Sequence, residues 1–100
     1  MKIAVYGAGA IGSYLGVRLH QAGAEVSLIA RGEQLRAMKE NGVTLKADDG
    51  TVTVKPFVTG DASEAGAQDF VFIAIKGHDL PRAANDIARL MGPKTALITA

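Results

Sequence analysis

The sequence contains no cysteine, which excludes a disulfide framework and any metal site built on thiolates. It also has little net charge: 11 Lys and Arg against 10 Asp and Glu leave +1. No basic cluster appears along the chain, so nothing favours nucleic acid or an anionic membrane surface as a partner. Long apolar runs are missing too, and none approaches the ~18 residues of a membrane span. No pair of carboxylates, no nucleophile beside a base and no metal-ligand cluster stands out. What remains is a chain of 100 residues, 48% of them hydrophobic, enough for one domain with its own core.

That domain is organised around its first two dozen residues. Ile3-Ala4-Val5-Tyr6 is a short apolar run of the kind a strand buried on both faces requires. It leads directly into Gly7-Ala8-Gly9-Ala10-Ile11-Gly12. Ile11, Leu15, Leu19 and Ala22 then recur at helical spacing, and Gly23 stands where a helix would stop. G-x-G-x-x-G between a strand and a helix is the context in which that spacing points to a dinucleotide. Gly7 permits the sharp exit from the strand, Gly9 lets a pyrophosphate lie against bare backbone, and Gly12 lets helix and strand approach. The helix offers its unpaired N–H groups and positive dipole end to the same anion. Gly16, one turn on, lets the helix lie flat on the sheet. Lys2, an apolar stretch and Ala22-Gly23-Ala24 mimic a secretion signal, but four glycines inside the stretch and Arg18 and His20 before the supposed cut argue against export. An intracellular, cytoplasmic protein is the expectation.

Glu25 to Ala30 reads as the second strand. An NAD-preferring site places an Asp or Glu about 20 residues past the glycines, to accept from the adenosine ribose. Ser27 to Arg31 holds no acid there, and Arg31 follows the strand immediately. A guanidinium at that place can grip the 2′-phosphate of NADP with two parallel hydrogen bonds. The cofactor implied is therefore NADP (NADPH). Glu33 fits the first turn of the following helix, where negative charge is favoured.

The helix over Glu33 to Glu40 carries Leu35 and Met38 as its apolar face and stops at Asn41-Gly42. Val43, Leu45 and Ala47, then Val52 and Val54, alternate with polar residues about Asp49-Gly50, which predicts a hairpin. The hairpin should leave the sheet mixed at one edge, with Pro56 at an edge or strand end. A single helical turn is expected near Ala62 to Glu64. Phe70 to Ile75 has the composition of a central parallel strand, and Lys76-Gly77-His78-Asp79 should lie at its carboxyl end, on one rim with the glycine turn and Arg31. Lys76 is a candidate cation beside the cofactor. His78 and His20 are read as surface residues, and Tyr6 and Tyr14 as packing. Asp79 could cap a helix with Pro81 in its first turn and Ala84, Ile87, Ala88 and Met91 on its apolar face. Thr95 to Ala100 begins another buried strand, so the chain is expected to be the amino-terminal piece of a longer protein. The fold class expected is α/β: a Rossmann-type, doubly wound, mostly parallel sheet with a hairpin inserted after the second helix.

The run from Gly7 to Gly16, Arg31, and Asp69 to Lys76 together resemble the amino-terminal domain of ketopantoate reductases (2-dehydropantoate 2-reductases), and the resemblance spans the whole chain. It implies that Gly7, Ala8, Gly9, Ala10, Ile11 and Gly12 hold the NADPH pyrophosphate, Arg31 the 2′-phosphate, and that Lys76 lies near the reacting end. It implies reduction of a 2-keto acid, 2-dehydropantoate, to pantoate for coenzyme A synthesis. The proton-donating lysine and the substrate-binding residues would belong to a helical second domain, so residues 1–100 alone should bind cofactor without turning over. Two other readings stay open: a nucleotide-sensing module without chemistry, and a reductase of a different 2-keto acid. A methyltransferase using S-adenosylmethionine is disfavoured, since its ribose also wants an acid near the second strand's end.

Overall fold

A computed structural model describes residues 1–48, 50–75 and 80–99 of the chain. Five parallel strands form its main sheet among these residues: β1 (Lys2–Tyr6), β2 (Glu25–Ile29), β5 (Phe57–Thr59), β6 (Phe70–Ile73) and β7 (Ala96–Thr99). Their order is β5-β2-β1-β6-β7. The chain winds outward from β1 through β2 to β5, then returns to the other side of β1 with β6. This reversal puts a topological switch point between β1 and β6, where open α/β sheets bind ligands beyond the carboxyl ends of their strands. Tyr6 pairs with Ile29 on one side and Ile73 on the other, so three strands end at one level.

Both faces of the sheet are covered. On one, α1 (Ala10–Gln21) and α2 (Gly32–Asn41) pack over Val5, Val26, Leu28 and Val58. On the other, α3 (Ala62–Ala65) and α4 (Leu80–Leu90) pack over Ala4, Tyr6, Ile29, Val71 and Ile73. Val5, Val17, Leu28 and Val71 are fully buried, each contributing about 1.5–3 kcal/mol by leaving water. Gly16 is what lets α1 settle so closely: a Cβ there would stand 3.2 Å from Leu28 Cδ1.

Several expectations need correction. The hairpin, β3 (Val43–Ala47) with β4 (Gly50–Val54), does not join the main sheet; it forms a separate two-stranded sheet packed on α1. The main sheet is therefore wholly parallel among the described residues. Gly50 is not a turn residue but the first of β4, paired with Ala47; Asp49 lies outside the described residues. Strand β5 went unforeseen, because three residues after a proline are too few to show a period. Ile11 is 58% exposed rather than buried, since the first turn of α1 projects past the strand ends; Val17 takes the buried place. In α4 the inward residues are Ala83, Ile87 and Leu90, rotated from the expected face, with Ala84 and Ala88 exposed. Among the described residues β7 is the outermost strand on the β6 side, and Leu97 is exposed there.

Candidate functional site

The glycine turn occupies the switch point. Gly7 has φ 107, a left-handed conformation that L side chains rarely adopt, and its N–H donates to the Ile29 carbonyl at 3.0 Å. A Cβ on Gly7 would meet Ile75 Cγ2 at 2.7 Å and the Ala74 carbonyl oxygen at 2.8 Å. Gly12 is needed more absolutely still, because a Cβ there would stand 1.8 Å from the Gly7 carbonyl oxygen. Gly9 is different: its φ of −70 suits any residue, and no atom of the described residues lies within 4 Å of where its Cβ would be. Two glycines are thus explained by packing inside the chain. The third is uncrowded among the described residues.

Gly9 is also the N-cap of α1 and supplies no side chain to that end, and the first turn carries no acidic residue. The early N–H groups of a helix have no partner within it, so α1 points uncompensated donors and a positive dipole end outward over Gly9. The Ala8 carbonyl is turned the other way and accepts from Ser13 Oγ at 2.9 Å and from Gln34 Nε2. Those two bonds tie the loop to α1 and to the first turn of α2. Ser13 and Gln34 carried no sequence signal for this, since each acts through a backbone carbonyl.

Arg31 lies two residues beyond the end of β2, after Ala30, and is the N-cap residue of α2. Its guanidinium Nη2 donates to the Tyr6 hydroxyl at 3.1 Å and lies 3.7 Å from Asp86 Oδ2. The Tyr6 hydroxyl in turn donates to Asp86 Oδ2 at 2.8 Å. Tyr6 is therefore more than packing: its ring is buried in the core while its oxygen reaches the rim. Burial, and next the hydrogen bond to Asp86, push its pKa above the ordinary 10.0, so the hydroxyl stays protonated. Arg89 Nη1 lies 3.8 Å from Asp86 Oδ1 and 4.0 Å from Asp61 Oδ1, extending the charged cluster from α4 to the start of α3. Asp86 was not anticipated from the sequence.

The structure thus brings the glycine turn and Arg31 to one rim, as expected. Lys76, together with Gly77, His78 and Asp79, lies outside the described residues. His20 is at the other end of α1, where it lines a cavity of about 480 Å³ with Lys55, Phe57 and Glu64. That cavity opens at the amino ends of β2 and β5 and includes no residue of the glycine turn. Among the described residues no group of His, Asp or Glu could hold a metal ion, and no helix is long and apolar enough to cross a membrane.

A dinucleotide fits this arrangement on two counts. Among the described residues no side chain crowds Gly9, so its backbone is open to a ligand, and a cation stands just past the second strand, where a ribose acid would otherwise be.

Comparisons with known proteins point the same way. The family model for "Ketopantoate reductase PanE/ApbA" matches residues 3–100. A 2-dehydropantoate 2-reductase of Mesorhizobium japonicum is 44% identical over 101 residues, covering 99% of this chain and 31% of that protein. The crystal structure of a PanE/ApbA family ketopantoate reductase from Ralstonia eutropha JMP134 superposes with a TM-score of 0.89 at 33% identity, covering 97% of this chain and 33% of that one. A ternary structure of D-mandelate dehydrogenase with NADH and anilino(oxo)acetate gives a TM-score of 0.87 at 33% identity, covering 99% and 32%. The chain spans about a third of the length of the curated relatives it matches.

Proposed function

The chain belongs to the ketopantoate reductase PanE/ApbA family, and from that premise we propose that it is the NADPH-binding domain of a cytoplasmic oxidoreductase reducing 2-dehydropantoate to pantoate. The observation that carries the reading is the contrast among the glycines. Gly7 and Gly12 are demanded by the chain's own packing, whereas among the described residues nothing crowds Gly9 at the amino end of α1.

Bound NADPH supplies a hydride; the chain supplies position and electrostatics. In this reading Gly7 to Gly12 hold the pyrophosphate through backbone N–H groups, with Ala8, Ala10 and Ile11 lining the loop, and Arg31 takes the 2′-phosphate. Lys76 serves beside the cofactor, toward the reacting end. The keto acid itself and the proton donor belong to a helical substrate domain, for which the threefold greater length of the relatives leaves room.

Titration of the chain with NADPH and NADH tests the cofactor half. Charge-assisted contacts of about 1.5–3 kcal/mol predict a preference for NADPH of roughly ten- to hundredfold. Arg31→Ala should erase most of it. Equal affinity for both cofactors in the unaltered chain would refute the assignment of Arg31.

One comparison favours a second reading within the same chemistry. Mandelate is a 2-hydroxy acid, and the matched mandelate dehydrogenase was solved with NADH. A reductase of some other 2-keto acid would use the same cofactor half. Assay of the full-length protein with 2-dehydropantoate against other 2-keto acids separates the two; no observation favours a sensor without chemistry.

A further inference from the structure

We propose that Asp86 sets how strongly this site prefers the phosphorylated cofactor, by acting as an internal anion with which the 2′-phosphate must compete for Arg31. The inference rests on the reading of Arg31 given above and adds a residue far from it in sequence.

The geometry behind it is a triangle. Arg31 Nη2, the Tyr6 hydroxyl and Asp86 Oδ2 stand 3.1, 2.8 and 3.7 Å apart in pairs. Tyr6 is held in the core, so its hydroxyl is a fixed post. It receives the guanidinium on one side and fixes the carboxylate on the other. A phosphate reaching the same guanidinium carries roughly two negative charges at neutral pH and accepts through several oxygens. It would enter beside a carboxylate that already faces that nitrogen.

Two consequences follow from elementary electrostatics. The carboxylate keeps Arg31 near the rim when no cofactor is bound, and it repels the incoming phosphate once binding begins. The first effect is small, because the Arg31 side chain is 66% exposed and such pairs contribute little. The repulsion is the larger, since binding removes water from between the two anions. Among the described residues Asp86 is also shared with Arg89 at 3.8 Å, whose guanidinium lies 4.0 Å from Asp61 Oδ1. An unphosphorylated ribose carries no charge for Asp86 to oppose. Asp86 therefore affects NADPH and leaves NADH nearly untouched, which a purely structural residue would not do.

The experiment is a titration of the chain with NADPH and with NADH, in the unaltered form and in Asp86→Asn. The expected result is NADPH binding tightened about three- to tenfold, the scale of one partly screened charge, with NADH affinity changed less than about twofold. Asp86→Ser removes the same charge by a different side chain and should give the same gain, which keeps the test decisive if the Asn variant folds poorly. Asp86→Glu retains the charge and should bring no gain. In the Arg31→Ala background the gain from Asp86→Asn should largely vanish, because without the guanidinium nothing draws the phosphate up beside Asp86.

Unchanged or weaker NADPH binding in both neutral variants overturns the inference, as does an equal change for NADH. Persistence of the full gain without Arg31 also overturns it. Failure of the site assignment looks different: the unaltered chain would then show no NADPH preference, or keep it in Arg31→Ala. If Arg31→Ala abolishes the preference while Asp86→Asn leaves it as it was, only the role of Asp86 falls.

Discussion

Tyr6 Oη and Asp86 Oδ2 are 2.8 Å apart although eighty residues separate them in the chain. The bond joins the end of the central strand to α4, across the face opposite α1. It is the tie that carries the core's order out to the rim where Arg31 lies.

Its protonation should be measurable. Burial and the Asp86 hydrogen bond raise the Tyr6 pKa above 10.0, so the folded chain holds this proton more tightly than the unfolded chain does. The associated stability is fully present below pH 10 and is lost as pH rises through the folded value. Absorbance titration of tyrosinate should show one of the two tyrosines ionising late, and Tyr6→Phe should remove that late phase. A single transition at the ordinary value would contradict the buried bond.

Gly12→Ala should damage the fold itself. The new Cβ would sit 1.8 Å from the Gly7 carbonyl oxygen, and no flexible side chain can yield there. The cost should reach the top of the overpacking range, about 3 kcal/mol or more. For a domain of this size that lowers the thermal midpoint by more than about 10 °C. Melting followed by circular dichroism checks it.

Gly9→Val should do the reverse. No described residue crowds that position, and its φ is an ordinary one. The melting midpoint should move by less than about 3 °C, roughly half a kcal/mol, while NADPH binding is lost. Retained NADPH binding in a well-folded Gly9→Val chain would show that the nucleotide lies elsewhere.

Leu28→Ala tests the packing under α1. Leu28 is fully buried and meets Gly16 across the helix–sheet contact. Its truncation should cost about 2–5 kcal/mol, the range for buried leucines, read as a lower midpoint in urea with an unchanged slope.

Much of this architecture was legible in the residues, and the failures have physical reasons. The first strand, the turn and α1 could be read because β-branched residues, glycines and a helical period agree at every level. The rim position of Arg31 followed from strand length alone. By contrast, the inward face of α4 was misplaced because Ala83, Ala84 and Ala88 are chemically alike, so the period had little contrast. The hairpin was found but attached to the wrong sheet, since alternation fixes which residues face inward and not which element they face. Asp86 could not be found: a carboxylate on a polar helix has no local mark of a hydroxyl eighty positions away.

The separate hairpin has a consequence for how fast the molecule can act. Because α1 touches β1 and β2 of the main sheet and also β3 and β4 of the hairpin, it is held by two separate sheets. A rod wedged in this way has little freedom to tilt when an anion arrives at its tip. Nucleotide capture should then proceed as a single encounter with no slow isomerisation afterwards, so mixing kinetics would be one exponential whose rate climbs in proportion to ligand concentration.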